Sequence, residues 1–207
     1  MNIFGLATRK VIQSDPGNGL VLKVKQMYGL VGVSAGKENL NLGTLLKWHK
    51  GEGKTPLCYI DKEQRTAVMQ KCTAETISWA EDLGVDPYIL SPVPKLIDYV
   101  IKEYPDVTTL RLLGGIKDQV RAVRREAERG TDGVVCYGFE LDQRLILALG
   151  KAAERQNVDF YVNVQRKSWR NWDRVRDRRM IMENATGILC NHPEKAKAYE
   201  TKVLAGR

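Results

Sequence analysis

The densest cluster of charged and aromatic side chains lies at residues 165–179, with the sequence QRKSWRNWDRVRDRR. Arginine can bind a phosphate through two N–H groups at once, and tryptophan can stack on bases or anchor a protein interface. The cluster therefore predicts contact with an anion, RNA or a partner protein. An amphipathic helix that buries Trp172, Val175 and Met180 and leaves the arginines in solvent explains the same pattern. The anion-binding candidates are Arg166, Lys167 and Arg170, and the candidates for contact with nucleic acid or a partner are Trp169, Trp172, Arg174 and Arg178.

Polar side chains also follow several apolar runs. Asp61 and Lys62 come directly after LCYI. Asn163 ends the run FYVN, and His192 follows TGILC after one residue. If these runs are strands of a parallel barrel, the side chains lie on the rim where such folds bind ligands. They are predicted to contact an anionic ligand, although Asp61 and Asn163 could equally satisfy backbone groups and His192 could be structural.

Two glycine motifs and a second histidine complete the candidates. Gly114-Gly115 follows an apolar run and precedes a helical pattern. Such a turn can present backbone N–H groups to a phosphate. A plain tight turn between a strand and a helix has the same pattern. Residues 51–54 (GEGK) lack the spacing of a phosphate-binding loop and predict a turn. His49 stands beside lysines at a helix end and is predicted to face solvent. The spacing predicts no catalytic group, no metal ligand set and no cofactor.

The composition indicates a globular chain with a basic surplus. The 207 residues carry 43% apolar and 28% charged residues, which are ordinary values for a folded domain. Thirty-three lysines and arginines against 25 acidic residues give a formal net charge of +8. This balance favours polyanionic partners such as RNA or phosphorylated ligands, and a basic but otherwise inert surface would have the same charge.

The cysteines and the apolar runs bear on the compartment. Cys58, Cys72, Cys136 and Cys190 have neither CxxC nor zinc spacing, and three of them lie inside apolar runs. Unpaired, buried thiols are typical of a reducing compartment such as the cytoplasm or an organelle matrix. No apolar run is long enough for a transmembrane segment, and the N-terminal residues have no signal-peptide core. We therefore expect an intracellular protein that is not secreted.

From residue 40 onward, strand and helix patterns alternate. Each apolar run of strand length is followed by a segment with helical spacing, and strict alternation of this kind predicts parallel strands joined by crossover helices. Continuous apolar runs are typical of parallel strands, which are covered on both faces. The predicted strands are Thr55–Asp61, Pro87–Ser91, Val107–Leu113, Thr131–Phe139, Val158–Val164 and Thr186–Cys190, and the helices are Glu63–Leu83, Pro92–Tyr104, Lys117–Arg129, Asp142–Gln156, Trp169–Glu183 and a polar tail.

The first 39 residues are less regular. Asn2–Ala7 and Leu20–Val24 read as strands, and Gly29–Ala35 as a third strand or the second half of a hairpin. The turn signal DPGN between the first two leaves little room for a helix. Counting Asn2–Ala7 and Leu20–Val24 brings the strands to eight, which favours an α/β fold of the (β/α)8 TIM-like type with a shortened, irregular first βα unit. An open, doubly wound sheet has the same periodicity. We expect one domain over 1–207, with 1–39 eroded and 200–207 a tail.

Residues 40–199 resemble the glycerophosphodiester phosphodiesterase family in the order of six short motifs. NLGTLL at 41–46 is similar to the family's Thr-Leu-x-Glu-Leu-Leu, and LCYIDK at 57–62 stands at its Glu-x-Lys strand. Residues 89–107 resemble its strand, helix and Leu-Pro stretch. TDGVV at 131–135, FYVN at 160–163 and ATGILCNHPE at 185–194 complete the series. The resemblance implies a phosphodiesterase barrel, an activity on phosphoric diesters and a place in lipid metabolism.

The residues that carry that family's chemistry are missing. The family has His-Arg-Gly after its first strand, Glu-x-Asp on its second and a further His-Asp, which together hold a divalent cation and supply acid and base. Here the first two strands read FGLATRK and LVLKVK, and GVSAG at 32–36 replaces the second pair. Lys23 and Lys25 stand near the positions of the metal-binding carboxylates and would repel a cation. The Glu-x-Lys match is also incomplete, because in either alignment of CYIDKE with this motif one of the two charged residues is wrong.

Three functions remain open from the sequence. The first is a catalytically degenerate phosphodiesterase-like barrel, a pseudoenzyme kept for a binding or structural role in an assembly, with a protein partner or a phosphorylated ligand. The second is an active phosphoric diester hydrolase that uses Ca²⁺ or Mg²⁺ at a site of other residues or one completed by a partner chain. The third is a basic protein associated with RNA, for which binding would weaken with salt.

Overall fold

The computed structural model describes residues 1–7, 17–27, 30–35, 38–62, 65–164 and 175–205. Its strands are β1 (Asn2–Leu6), β2 (Gly19–Met27), β3 (Leu30–Ala35), β4 (Glu38–Leu40), β5 (Leu57–Ile60), β6 (Tyr88–Ser91), β7 (Thr109–Leu112), β8 (Gly133–Tyr137), β9 (Asp159–Asn163) and β10 (Gly187–Cys190). Its helices are α1 (Leu42–Glu52), α2 (Thr66–Leu83), α3 (Pro94–Glu103), α4 (Gln119–Arg129), α5 (Gln143–Gln156), α6 (Val175–Asn184) and α7 (Pro193–Ala205), with a 3₁₀ turn at Gly138–Glu140.

Eight of these strands form a closed parallel barrel. The order is β1, β10, β9, β8, β7, β6, β5, β2, and β1 also pairs with β2, which closes the ring. Helices alternate with the strands from β5 onward. The predicted (β/α)8 barrel is confirmed, and the open sheet is excluded because β1 has a parallel partner on each side.

An antiparallel arm extends one wall of the barrel. At Val24, β2 pairs with Ile60 of β5 on one edge and with Val33 of β3 on the other. Strand β4 then pairs with β3, as Val33 with Leu40. Gly29–Ala35 was predicted as a strand or hairpin half, and the hairpin alternative is correct over Leu30–Ala35. The short strand β4 was not predicted from the sequence.

The helices begin and end where local chemistry favours it. The side chains of Asn41, Asp118 and Asp142 each accept a hydrogen bond from a backbone N–H in the first turn of α1, α4 and α5. Left-handed residues end four helices: Gly53, Gly84, Gly130 and Asn157. The helices predicted to end at Leu83, Arg129 and Gln156 end at these residues. The predicted strand to Phe139 is shorter, because β8 ends at Tyr137 and a 3₁₀ turn follows.

Two apolar layers hold the barrel together. One cluster has at least one side chain from each of the eight barrel strands and none from a helix, so it fills the barrel interior; it includes Phe4, Val21, Leu57 and Tyr161. Two other clusters lie between strands and helices. All four cysteines are buried in these layers. None of the described helices is both long enough and apolar enough to cross a membrane.

Candidate binding site at the barrel mouth

Strand alternation decides which polar side chains point into the barrel. Val21 and Leu57 are neighbours in the pairing of β2 with β5, and both face the interior. Because side chains alternate along a strand, Lys23 and Tyr59 face the interior two residues further on. Both lie toward the carboxyl ends of parallel strands, the end of a barrel at which ligands bind. We call this end the barrel mouth.

An ion pair occupies one side of the mouth. Lys23 Nζ lies 3.0 Å from Asp61 Oδ2, and the two side chains are 36% and 19% exposed. Burial alone would raise the pKa of Asp61. Hydrogen bonds from the Lys23 ammonium, the Lys62 backbone N–H and the Tyr59 hydroxyl outweigh it and hold that pKa below its usual value. Asp61 is therefore a carboxylate that is engaged with an ammonium group of its own chain.

Two polar side chains lie across the mouth from this pair. Asn163, which is buried, is the register partner of Tyr137 at the ends of β9 and β8. In the ring of eight, β9 is four places from β5 and β8 is four places from β2, which puts the two pairs of strands on opposite walls. The Tyr137 ring covers Gly114, where an added Cβ would lie 2.2 Å from the ring's Cε2 atom. The mouth therefore combines an ammonium, a carboxylate, an amide and two phenols.

The other predicted rim residues have different positions. Lys62 is exposed in the turn after β5, where its backbone N–H donates to the Asp61 carboxylate at 2.7 Å. His192 precedes α7, and its carbonyl accepts from the N–H groups of Lys195 and Ala196. Its Nδ1 atom lies 3.4 Å from a carboxylate oxygen of Glu194. These bonds are made by the backbone carbonyl, and contact of the His192 side chain with a ligand stays a prediction.

Of the candidate contact residues in the basic cluster, Arg178 alone lies in the part of the chain that the structure describes, and its neighbour Arg179 pairs with Glu183 on the same helix. The Arg178 guanidinium lies 5.6 Å from the centre of the Tyr199 ring, which connects α6 with α7 through a cation–π contact. The cluster residues outside the described part of the chain are Arg166, Lys167, Trp169, Arg170, Trp172 and Arg174. Contact of this cluster with RNA, an anion or a partner stays a prediction.

His49 lies at the opposite end of the barrel, and its predicted exposure to solvent is wrong. Its side chain is fully buried. Nδ1 lies 2.7 Å from the Leu45 carbonyl, and Nε2 accepts from the Leu20 backbone N–H at 3.2 Å. Burial lowers the pKa of His49 to about 4, so the ring is neutral near pH 7 with its proton on Nδ1. The neighbouring lysines misled the prediction, because the ring is on the apolar side of α1.

The described residues offer no acidic cluster for a metal ion. Among them, no group of three or more His, Cys, Asp and Glu side chains has a geometry that could hold one. A cavity of about 490 Å³ opens at the other end of the barrel, with Asp132, Glu154 and Asp159 among its lining residues. Asp132 accepts hydrogen bonds there from the N–H and hydroxyl of Thr109, so this carboxylate is engaged in the fold.

Solved structures with the same barrel include phosphodiesterases. A glycerophosphodiester phosphodiesterase of Parabacteroides distasonis superposes with a TM-score of 0.70 at 10% identity, covering 96% of this chain and 94% of the other. A protein of Agrobacterium tumefaciens assigned to the glycerophosphoryl diester phosphodiesterases gives a TM-score of 0.75 at 10% identity, with 99% of each chain covered. The chain has the fold of the glycerophosphodiester phosphodiesterases. No protein-family model matches the sequence, and no curated protein does.

The phosphodiesterase fold alone does not decide the activity. A glycerol uptake operon antiterminator regulatory protein of Listeria monocytogenes shares it with a TM-score of 0.57 at 11% identity, and 92% of each chain is covered. Function must therefore be argued from the site. The second and third strands of the barrel are β2 and β5, and the inward positions toward the mouth are Lys23, Tyr59 and Asp61.

Proposed function

We propose that this chain is a catalytically inactive phosphodiesterase-like barrel that binds an anionic, phosphorylated ligand at its mouth. The observation that carries the proposal is the Lys23–Asp61 ion pair at 3.0 Å. In the family that the sequence resembles, the second strand supplies the metal-binding carboxylates of Glu-x-Asp and the third supplies Glu-x-Lys. Here the second strand supplies the Lys23 ammonium in place of those carboxylates, which reverses the charge at that strand, and Asp61 after the third strand pairs with it.

The reversed charges oppose metal-dependent hydrolysis. A divalent cation near Lys23 would be repelled, and Asp61 already has an ammonium partner at hydrogen-bond distance. Lys25, two residues along on the same side of β2, adds a second positive charge. His49, the histidine nearest these strands in the sequence, is buried at the far end of the barrel and cannot act as an acid or base at the mouth. This combination supports an inactive protein.

The same charges favour an anionic ligand. An ammonium group has three N–H donors, so Lys23 can contact an oxyanion while it donates to Asp61. The buried amide of Asn163 and the Tyr137 phenol lie across the mouth and could orient the rest of a small ligand. The net charge of +8 supports attraction of anions over a longer range. The proposal also includes a protein partner or a larger assembly in which ligand binding at the mouth has its role.

Hydrolysis of bis(p-nitrophenyl) phosphate and glycerophosphocholine tests the first half of the proposal. With Ca²⁺ or Mg²⁺ present we expect no turnover above that of the heat-denatured protein, and no rise in the thermal midpoint on adding either metal. The glycerophosphodiester phosphodiesterase of Parabacteroides distasonis, assayed in parallel, is the positive control. Turnover that EDTA abolishes would refute the inactive assignment.

Binding of glycerol 3-phosphate tests the second half. We expect the NMR signals of the Asn163 amide and the Lys23 ammonium to shift on titration, and Lys23→Met to weaken binding by about tenfold or more, which is the loss of one charge-assisted contact. Lys71→Met is the matched control, because Lys71 lies on α2, pairs with Glu75 and contributes the same charge. Equal binding by the two variants would exclude Lys23 from the site.

A further inference from the structure

A second oxyanion contact lies on the rim beside Gly114-Gly115, away from the Lys23–Asp61 pair. Gly115 has a φ of +73°, a left-handed conformation that suits glycine. Its backbone N–H points at the Glu140 carboxylate, 3.2 Å from Oε1 and 3.4 Å from Oε2. The side-chain amide of Gln119 donates to Glu140 Oε2 at 2.9 Å. The chain's own carboxylate therefore occupies a small anion-binding turn.

The side-chain amide of Gln119 is the second observation that points to a ligand, because a carboxylate satisfies only half of it. The residue is only 4% exposed, and its Oε1 atom is buried without a hydrogen-bond donor among the described residues. An unsatisfied buried carbonyl of this kind destabilises the folded state, because it has lost its hydrogen bonds to water without gaining another. A carboxylate only accepts hydrogen bonds, so Glu140 satisfies the amide nitrogen and leaves the amide oxygen without a partner. The amide of Gln119 offers one donor and one acceptor at the same place.

We propose that Gly115 and Gln119 form a binding site for a phosphoryl group that carries one proton, and that Glu140 occupies this site when no ligand is bound. Such a group presents acceptor oxygens to the Gly115 N–H and to Gln119 Nε2, and its P–OH donates to Gln119 Oε1. Inorganic phosphate and a phosphate monoester share this chemistry. Glu140 lies on the 3₁₀ turn that follows Tyr137, so its release would also loosen the segment that bears a mouth residue.

The test measures binding of inorganic phosphate at a pH of about 6, where inorganic phosphate retains a P–OH group and a monoester is about half in its singly protonated form. The readout is the chemical shift of the Gly115 amide in the full chain. Glu140→Ala removes the tethered competitor, and a short tether corresponds to a millimolar or higher effective concentration. We expect phosphate to bind this variant at least about tenfold more tightly than the wild type.

Four comparisons make the result decisive. Glu128→Ala, on an exposed stretch of α4, changes the net charge equally and should bind phosphate as the wild type does. Adding Gln119→Leu to Glu140→Ala should abolish the gain. Sulfate, which has no proton to donate at this pH, should bind Glu140→Ala more weakly than phosphate, and glycerol 3-phosphate shows whether an ester is accepted. Glu140→Ser takes the place of Glu140→Ala if the latter does not fold.

Equal phosphate binding by the Glu140 and Glu128 variants would overturn the site, as would a Gly115 amide that does not shift. Equal binding of sulfate and phosphate would overturn the protonated phosphoryl group as the ligand. The Gly115 amide reports on this turn and the Asn163 amide on the mouth. A negative result at Gly115 therefore leaves the proposed mouth site to be tested by the glycerol 3-phosphate titration.

Discussion

At the scale of single residues, His49 connects α1 to the start of β2. Its ring accepts from the Leu20 N–H through Nε2, which requires the neutral ring, and Nδ1–H donates to the Leu45 carbonyl. Protonation would remove the acceptor and leave a buried charge near Lys54, which contributes to the lowered pKa. His49 therefore stabilises the fold only while it is neutral.

This predicts a loss of stability in mild acid. The pKa of His49 is about 4 in the folded protein and 6.5 in the unfolded chain, so the unfolded state binds more protons between these values. The free energy of unfolding should fall by up to about 3 kcal/mol as the pH drops from about 7 to about 4. Urea unfolding across this range measures it.

The control for this prediction is His49→Gln. Its amide oxygen can still accept from the Leu20 N–H, and it does not titrate. The variant should be less stable than the wild type at neutral pH and should lose much less stability between pH 7 and pH 4. Parallel pH profiles for the two proteins would contradict the assignment of the loss to His49.

At the scale of elements, a buried ion pair joins β7 to α4. Arg111 Nε lies 3.7 Å from Glu126 Oε1, and these side chains are 8% and 7% exposed. Arg111 also donates to the carbonyls of Ser91 and Leu112, and Arg129 lies 3.0 Å from the second oxygen of Glu126. Burial lowers the pKa of Arg111, which indicates that the charge depends on its partner.

Removing one partner of this pair should be costly. Glu126→Ala leaves a buried guanidinium without its carboxylate and should lower the free energy of unfolding by about 3–5 kcal/mol. The double variant Arg111→Met with Glu126→Leu should recover much of the loss, because apolar side chains of similar size avoid the desolvation cost. Glu128→Ala, exposed on the same helix, should change stability by under about 0.5 kcal/mol. Additive losses in the double variant would show that the two side chains act independently.

At the scale of the whole molecule, β1 closes the barrel. Its Phe4 side chain is buried in the interior cluster, and its ring centre lies 6.1 Å from that of Tyr88 and 6.3 Å from that of Tyr161. These residues belong to strands on different sides of the ring. Phe4 therefore fills the interior between walls that are far apart in the sequence.

A cavity at Phe4 should weaken the whole barrel. Phe4→Ala should lower the free energy of unfolding by about 3–5 kcal/mol, and Phe4→Leu, which keeps more of the volume, by clearly less. Denaturant unfolding followed by far-UV circular dichroism measures both. A cost for Phe4→Ala no larger than that of a surface substitution would mean that β1 is not needed for closure.

The sequence by itself determined the alternation of strands and helices and most of their ends. These features depend on contacts within a few residues, such as the apolar runs of parallel strands, the Asp and Asn caps, and the glycines that end helices. It also indicated the phosphodiesterase-like fold, through short motifs in a recognisable order.

Only the tertiary structure decided what lies next to what. Closure of the barrel brings β1 against both β10 and β2, and the register of β2 with β5 brings Lys23 to Asp61, residues that are 38 positions apart. The burial of His49 and the contact of Glu140 with Gly115 depend in the same way on packing between distant segments. Local periodicity carries no information on such pairings, since it records which face of an element is apolar and leaves open which element covers it.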